Sequence, residues 1–248
     1  MTFAVVKWSP MLPPPYDQFE ESPKIATAAF ADCGELLGAV PPGVLYHYTT
    51  PVGLIGIISS GEIFLSDAAF LNDSSEITYA RRLVSAMLAE RASAETDPAR
   101  AALLMYAAYE IQLEDGASAR FRYYVASFCE APDLLSQWRA YGAPGSGYAL
   151  GFHSIGLVAA GARFDELKKV KLRRVVYDEH EQRHVIGQVV ARWSDTLPDD
   201  VSDGAAEYSG ALVLAIAYIL PQLKHPMFRE EREWRLGLEQ AKSPTARK

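Results

Sequence analysis

Two kinds of chemistry are spelled out in this chain. Residues 178–184 read DEHEQRH, and His180-Glu181-x-x-His184 would set two imidazoles one helical turn apart, as zinc peptidases do. Near the other end, Glu231-Arg232-Glu233 places two carboxylates two positions apart, and on a strand those share a face. The first pattern would activate water at a metal. The second would stabilise positive charge developing on a substrate.

The helix pattern around the histidines argues against a metal. Ile186, Val189, Val190 and Trp193 form its apolar stripe, and both histidines project to the other side. Their neighbours Asp178, Glu179, Gln182 and Arg183 are polar, which suits a solvated turn rather than a dry cleft. Asp178 and Glu181 have the spacing of a capping box, a simpler use for that glutamate. No convincing third ligand follows, so no metal is expected.

Other candidates sit on strands. In Leu45-Tyr46-His47-Tyr48-Thr49, alternation sends His47 to one face with Leu45 and Thr49, and the tyrosines to the other. Ser127 closes a run of strand formers, Tyr124 to Phe128, where a hydroxyl can reach a ligand. Trp138 and Tyr141 are three apart and share a helix face. Read as a strand from Glu231 to Leu238, the last segment lines one face with Glu231, Glu233 and Arg235 and the other with Trp234 and Leu236. Taken singly, each has a plainer reading: a core histidine, core aromatics, a solvated charged face.

The elements that must position these groups follow from periodicity and punctuation. Pro10 and Pro13–Pro15 give an extended start, and a helix is expected over 23–37. Strands are expected over 44–48, 63–65, 123–128, 148–152 and 171–177. Helices are expected over 54–58, along the stripe Ile77, Ala80, Val84 and Met87, from the cap Asp97-Pro98, over 133–141, and twice between 178 and 220. Strands and helices mix without regular alternation, which defines an α+β class.

A net charge of −7 disfavours broad attraction to nucleic acid or anionic membrane. Cys33 and Cys129 sit in unrelated contexts and suggest two small buried thiols. The N-terminal stretch has no basic segment followed by an apolar core, and the run Ala211–Leu220 ends at Pro221, too short to span a bilayer. A cytoplasmic location and no membrane partner are expected.

Several segments together resemble a widespread bacterial family known only as a domain of unknown function. They are His47-Tyr48-Thr49, Phe64-Leu65-Ser66-Asp67 with Phe70-Leu71-Asn72-Asp73, Ser127-Phe128-Cys129-Glu130 with Trp138 and Tyr141, Gly151-Phe152, and Glu231-Arg232-Glu233-Trp234-Arg235. Phe64 departs from the tryptophan more usual there. The resemblance runs from about residue 44 to 239 and divides the chain into an extension (1–43), one α+β domain (44–240) and a polar tail (241–248).

The order of these segments is also similar to that of ADP-ribosyltransferases. That likeness implies a split β-sheet core flanked by helices, with NAD as substrate and no metal. By position, His47 would bind an NAD ribose, Ser127 would support the nicotinamide pocket, and Tyr141 would stack on the leaving ring, with Tyr48 beside them. Glu233 would polarise the ribose 2′-hydroxyl and Glu231 would orient or deprotonate a protein or nucleic-acid acceptor. A toxin or anti-phage role is implied on the same ground. The alternative is a noncatalytic module that binds a nucleotide or partner. Convergence of His47, Ser127 and Glu233 on one pocket separates the two.

Overall fold

The computed structural model describes residues 5–6, 40–68, 75–113, 121–142, 145–162 and 170–241. The helix expected over 23–37, Cys33 and the segment Phe70–Asp73 lie outside the described residues. The strands are β1 (Val5–Val6), β2 (Val44–Thr49), β3 (Leu65–Asp67), β4 (Phe121–Cys129), β5 (Tyr148–His153), β6 (Lys171–Arg174) and β7 (Glu233–Ala241). The helices are α1 (Pro51–Ser60), α2 (Ser75–Ala94), α3 (Pro98–Gln112), α4 (Leu135–Tyr141), α5 (Ser154–Ala162), α6 (Glu179–Asp195) and α7 (Ala205–Ile219). This is a mixed α/β chain with an open antiparallel sheet.

Strand β4 is the axis of that sheet. One of its edges pairs with β7 along its whole length, from Phe121↔Ala241 to Cys129↔Glu233, and β6 continues beyond β7. Its other edge is shared. β3 pairs at Tyr124 and Val125, while β2 joins only at Cys129 and carries β5 outward. Between them the sheet forks, leaving the edge of β4 at residues 126–128 to neither strand. The first residues also enter the sheet, since Val5 and Val6 pair with β3.

Alternation gives the sheet two different faces. Leu45, Ala126, Phe128, Trp234 and Leu236 form one apolar cluster, covered by Leu157 of α5. On the opposite face Tyr123 and Val125 meet Tyr218 of α7. Beyond that face lies a larger core between helices, built from α2, α3, α6 and α7 around Trp193, Leu212 and Ile216.

Helix ends follow the local chemistry. Asp97 accepts the Ala99 N–H at 2.9 Å ahead of Pro98, and Gly61 closes α1 at φ +67°, where a side chain would be strained. Asp178 caps α6 by accepting the Glu181 N–H at 2.9 Å. Glu181 does not return that bond but pairs with Arg174. His180 and His184 are exposed, as their wheel position required. The buried member of the motif is Gln182, whose Nε2 donates to the carbonyls of Val176 and Lys224, both at 2.7 Å. Among the described residues no group of three or more His, Cys, Asp or Glu side chains could hold a metal ion. Among them, too, no helix is long and apolar enough to cross a membrane.

Three strand boundaries differ from expectation. β3 begins at Leu65 rather than 63, and β6 ends at Arg174, with Val176 making only an isolated bridge to Leu223. The expected strand from Glu231 starts two residues later. Pro226–Glu231 form a 3-10 turn, begun by Pro226 and capped where His225 Nδ1 accepts the Met227 N–H at 3.2 Å. Arg232 ends that turn at φ +40°. Glu231 therefore precedes the strand instead of sharing its face.

Candidate functional site: a buried cluster of carboxylates and cations

β7 places Glu233 and Arg235 on the face turned toward the helices, two residues apart and therefore side by side. Arg235 Nε donates to Glu233 Oε1 at 2.6 Å and its Nη2 to Oε2 at 2.9 Å. The same Nη2 reaches Glu76 Oε2 of α2 at 2.8 Å, and Nη1 donates to the Pro221 carbonyl. Lys224 completes the ring, contacting Glu76 Oε1 at 2.7 Å, Glu231 Oε2 at 2.6 Å and Glu233 Oε2 at 3.1 Å. Glu233, Lys224 and Arg235 are all buried.

Three carboxylates therefore share two cations, and their environments push the carboxyls apart. Burial would raise the Glu233 carboxyl, but Arg235, then Lys224, and a bond from Ser127 overcome it and hold the group at about 2. Burial also raises Glu231, and there Lys224 offsets it only in part, so Glu231 titrates above the ordinary carboxylate range. Burial would lower Lys224, yet the three glutamates around it raise it instead. Glu233 is thus a fixed anion, and Glu231 is the member able to exchange a proton.

Two tyrosines border this cluster. Burial and then the charge on Glu233 push the Tyr141 hydroxyl up to about 12. Tyr177 is raised for the same reasons, and its oxygen accepts the Glu233 N–H at 3.1 Å. Both stay protonated near neutrality and can serve as hydrogen-bond donors. Beside them, Tyr177 lines a groove of about 380 Å³ with Arg174, Pro226 and Arg229, along with Val175, Asp178, Glu179 and Glu181. Asp178 is engaged as a helix cap and Glu181 by Arg174.

Of the six residues proposed for the site, Ser127, Tyr141, Glu231 and Glu233 come together on the helix-facing side. His47 does not. Register pairs Tyr46 with Cys129 and Cys129 with Glu233, so those share a face and His47 points to the other, its ring 5.7 Å from that of Phe128. His47 sits at the fork, where Nδ1–H donates to the Ser127 carbonyl at 2.9 Å and leaves the lone pair on Nε2. Convergence of His47 with Glu233 is therefore corrected, and the reason is strand parity. Tyr48 is on the Glu233 side but is committed elsewhere. Its hydroxyl donates to the Ala131 carbonyl at 2.7 Å and accepts the Leu134 N–H at 3.0 Å, fastening the start of α4.

Burial depresses the His47 imidazole below its ordinary 6.5, opposed only in part by the Ser127 bond. The unfolded chain then takes up a proton first, so stability should fall as pH drops below about 6.5 and level off below the folded value. The contribution of one such group has a slope of at most about 1.4 kcal/mol per pH unit. Comparing urea unfolding of wild type and His47→Gln from pH 7.5 downward isolates it. Parallel pH profiles for the two proteins would show that His47 titrates alike folded and unfolded.

Glu76, Lys224 and Tyr177 were not among the residues singled out from the sequence. One signal was present for Lys224: a lone cation directly after the apolar run 211–223 is often buried and then needs anionic partners. Glu76 carried none, since its partner Arg235 lies 159 positions away.

Residues 137–236 match the profile of a family described as a protein of unknown function (DUF2971). The matched span runs from α4 into β7. It includes Tyr141, Lys224, Glu231, Glu233 and Arg235, and leaves out His47, Glu76 and Ser127. No curated protein matches the chain, and no solved structure does.

Proposed function

We propose that this chain is a noncatalytic binding module that holds a nucleotide in the groove beside Tyr177. The observation that carries this reading is the state of Glu233. A carboxylate that stabilises an oxocarbenium-like centre must face that centre with its charge available. Here both oxygens are taken by Arg235, one also by Lys224, and Ser127 adds a further bond. His47, assigned by resemblance to an NAD ribose, lies across the sheet. The groove supplies an aromatic ring and two guanidinium groups, the chemistry that takes a base and a phosphate.

ADP-ribosyl transfer or NAD hydrolysis is the second reading, favoured by the gathering of Ser127, Tyr141, Glu231 and Glu233. It requires Lys224 to release Glu233 while keeping Glu76 and Glu231, both of which it already contacts. Its acceptor, protein or nucleic acid, and a toxin or anti-phage role rest on resemblance alone.

Calorimetry with NAD and ADP-ribose, run beside a nicotinamide-release assay with labelled NAD and cell lysate, separates the two. The expected result is binding that weakens in Arg229→Ala, with no nicotinamide released. Release that falls about a hundredfold in Glu233→Gln, at equal folding, would establish the enzyme instead. Absence of both binding and release would remove the nucleotide.

A further inference from the structure

The fork and the charged cluster occupy the middle of the sheet, whereas its β5 border has a different character. Among the described residues β5 pairs with β2 alone, so the other edge of Tyr148–His153 carries unpaired N–H and C=O groups. Proteins blunt such edges with lysine, proline, bulges or inward charges. Tyr148-Ala149-Leu150-Gly151-Phe152-His153 contains no proline and no Asp, Glu, Lys or Arg, and its six residues pair with β2 without a bulge.

The two helices that touch β5 share this character. α1 leaves the sheet at the end where Thr49 pairs with Tyr148, and α5 leaves at the other end, directly after His153. On α1, Val52, Ile55 and Ile58 recur every third residue and are 81%, 65% and 68% exposed. On α5, Ile155 is 83% exposed and Val158 49%. Neither helix contains a charged residue. Single exposed apolar side chains are ordinary, but an apolar set flanking an unprotected strand edge marks an interaction surface.

We propose that β5 is the interface of a homodimer, in which a second copy adds its own β5 antiparallel to the first. The charge pattern selects that occupant. Each chain carries −7, so copies repel one another in general. A twofold interface brings each residue near its own counterpart, which any charged group would oppose; this border has none. Antiparallel pairing also sets Tyr148 near His153 of the second copy. The α1 end of one chain then meets the α5 end of the other at both sides of the axis. Backbone bonds supply the pairing, and the exposed isoleucines and valines are drawn out of water.

Sedimentation velocity on the full chain, over a range from low to high micromolar, tests this against Ile58→Glu/Ile155→Glu. Both positions are exposed, so the double variant should keep its far-UV circular dichroism and its urea midpoint. The expected result is a wild-type dimer and a variant whose dissociation constant is at least a hundredfold higher. A dimer that survives the two charges would overturn the assignment to this border. So would a monomer throughout, including one whose β5 amides are protected from hydrogen exchange, which would mean that the chain covers the edge itself. None of these outcomes depends on nucleotide binding or nicotinamide release.

Discussion

Arg235→Leu should destabilise the fold by about 3–5 kcal/mol, because it strands buried charge rather than merely deleting a contact. Arg235 holds both oxygens of Glu233, reaches Glu76 and donates to the Pro221 carbonyl. Without it, Lys224 is left as the cation facing Glu76, Glu231 and Glu233 together. Sign and pH window follow from Glu233. Its folded value, about 2, lies below the ordinary 4.5, so its contribution is present above 4.5 and is lost as pH falls toward 2. The gap between wild type and Arg235→Leu should accordingly narrow in acid, where the stranded carboxylates take up protons. Urea unfolding at pH 7 and at pH 4 measures both quantities. A cost below about 1 kcal/mol at pH 7 would mean that water reaches the cluster and solvates it.

Trp193→Ala should lower stability by a similar amount, about 3–5 kcal/mol, through a different mechanism. Trp193 is 1% exposed and lies in the core between α6 and α7 with Ile186, Leu212 and Ile216. Its indole N–H donates to the Tyr208 carbonyl at 2.8 Å, so truncation opens a cavity and also removes a buried bond. For a chain of this size each kcal/mol is worth about 2–4 °C, so calorimetry should record a midpoint lower by roughly 10 °C. Trp138→Ala is the contrast. Trp138 is only half-buried, edge-on to Tyr48 at 4.7 Å and bonded to Asp133, and its loss should cost clearly less. Equal losses for the two tryptophans would mean that area removed from water, rather than cavity formation, sets the cost.

Local order was well marked in the sequence, and spatial assembly was not. Asp97-Pro98, Thr50 with Gly61, and Asp178 announced helix ends because capping acts within a few residues. The alternation in Glu233-Trp234-Arg235-Leu236 fixed which side chains enter the apolar cluster, because a strand face is decided by parity alone. Parity also placed His47 with Leu45, but comparing His47 with Glu233 needs the register of β2 on β4 and of β4 on β7. No local signal carries that register. Glu231 was misplaced for a related reason: its charge pattern fits a strand, yet Pro226 and the His225 cap bend the chain before the sheet begins. Among site residues, Glu233, Glu231, Ser127 and Tyr141 were legible as types. The cation that joins them, Lys224, stands outside every motif.

The position of β7 in the chain bears on how the protein comes to be folded during synthesis. It lies between β4 and β6, yet it is the last described strand to leave the ribosome. Until it arrives, β4 offers a nine-residue edge open to pairing with anything nearby. Glu76, made more than 150 residues earlier, must meanwhile stay hydrated, because Lys224 and Arg235 do not yet exist to receive it. Helices α2 and α3 can pack against each other early, being adjacent in sequence, but the face of the sheet that bears charge closes only at the end. A nascent chain stopped anywhere before Glu233 should therefore be held as an open, chaperone-dependent intermediate, and the addition of a single strand should convert it into the closed fold.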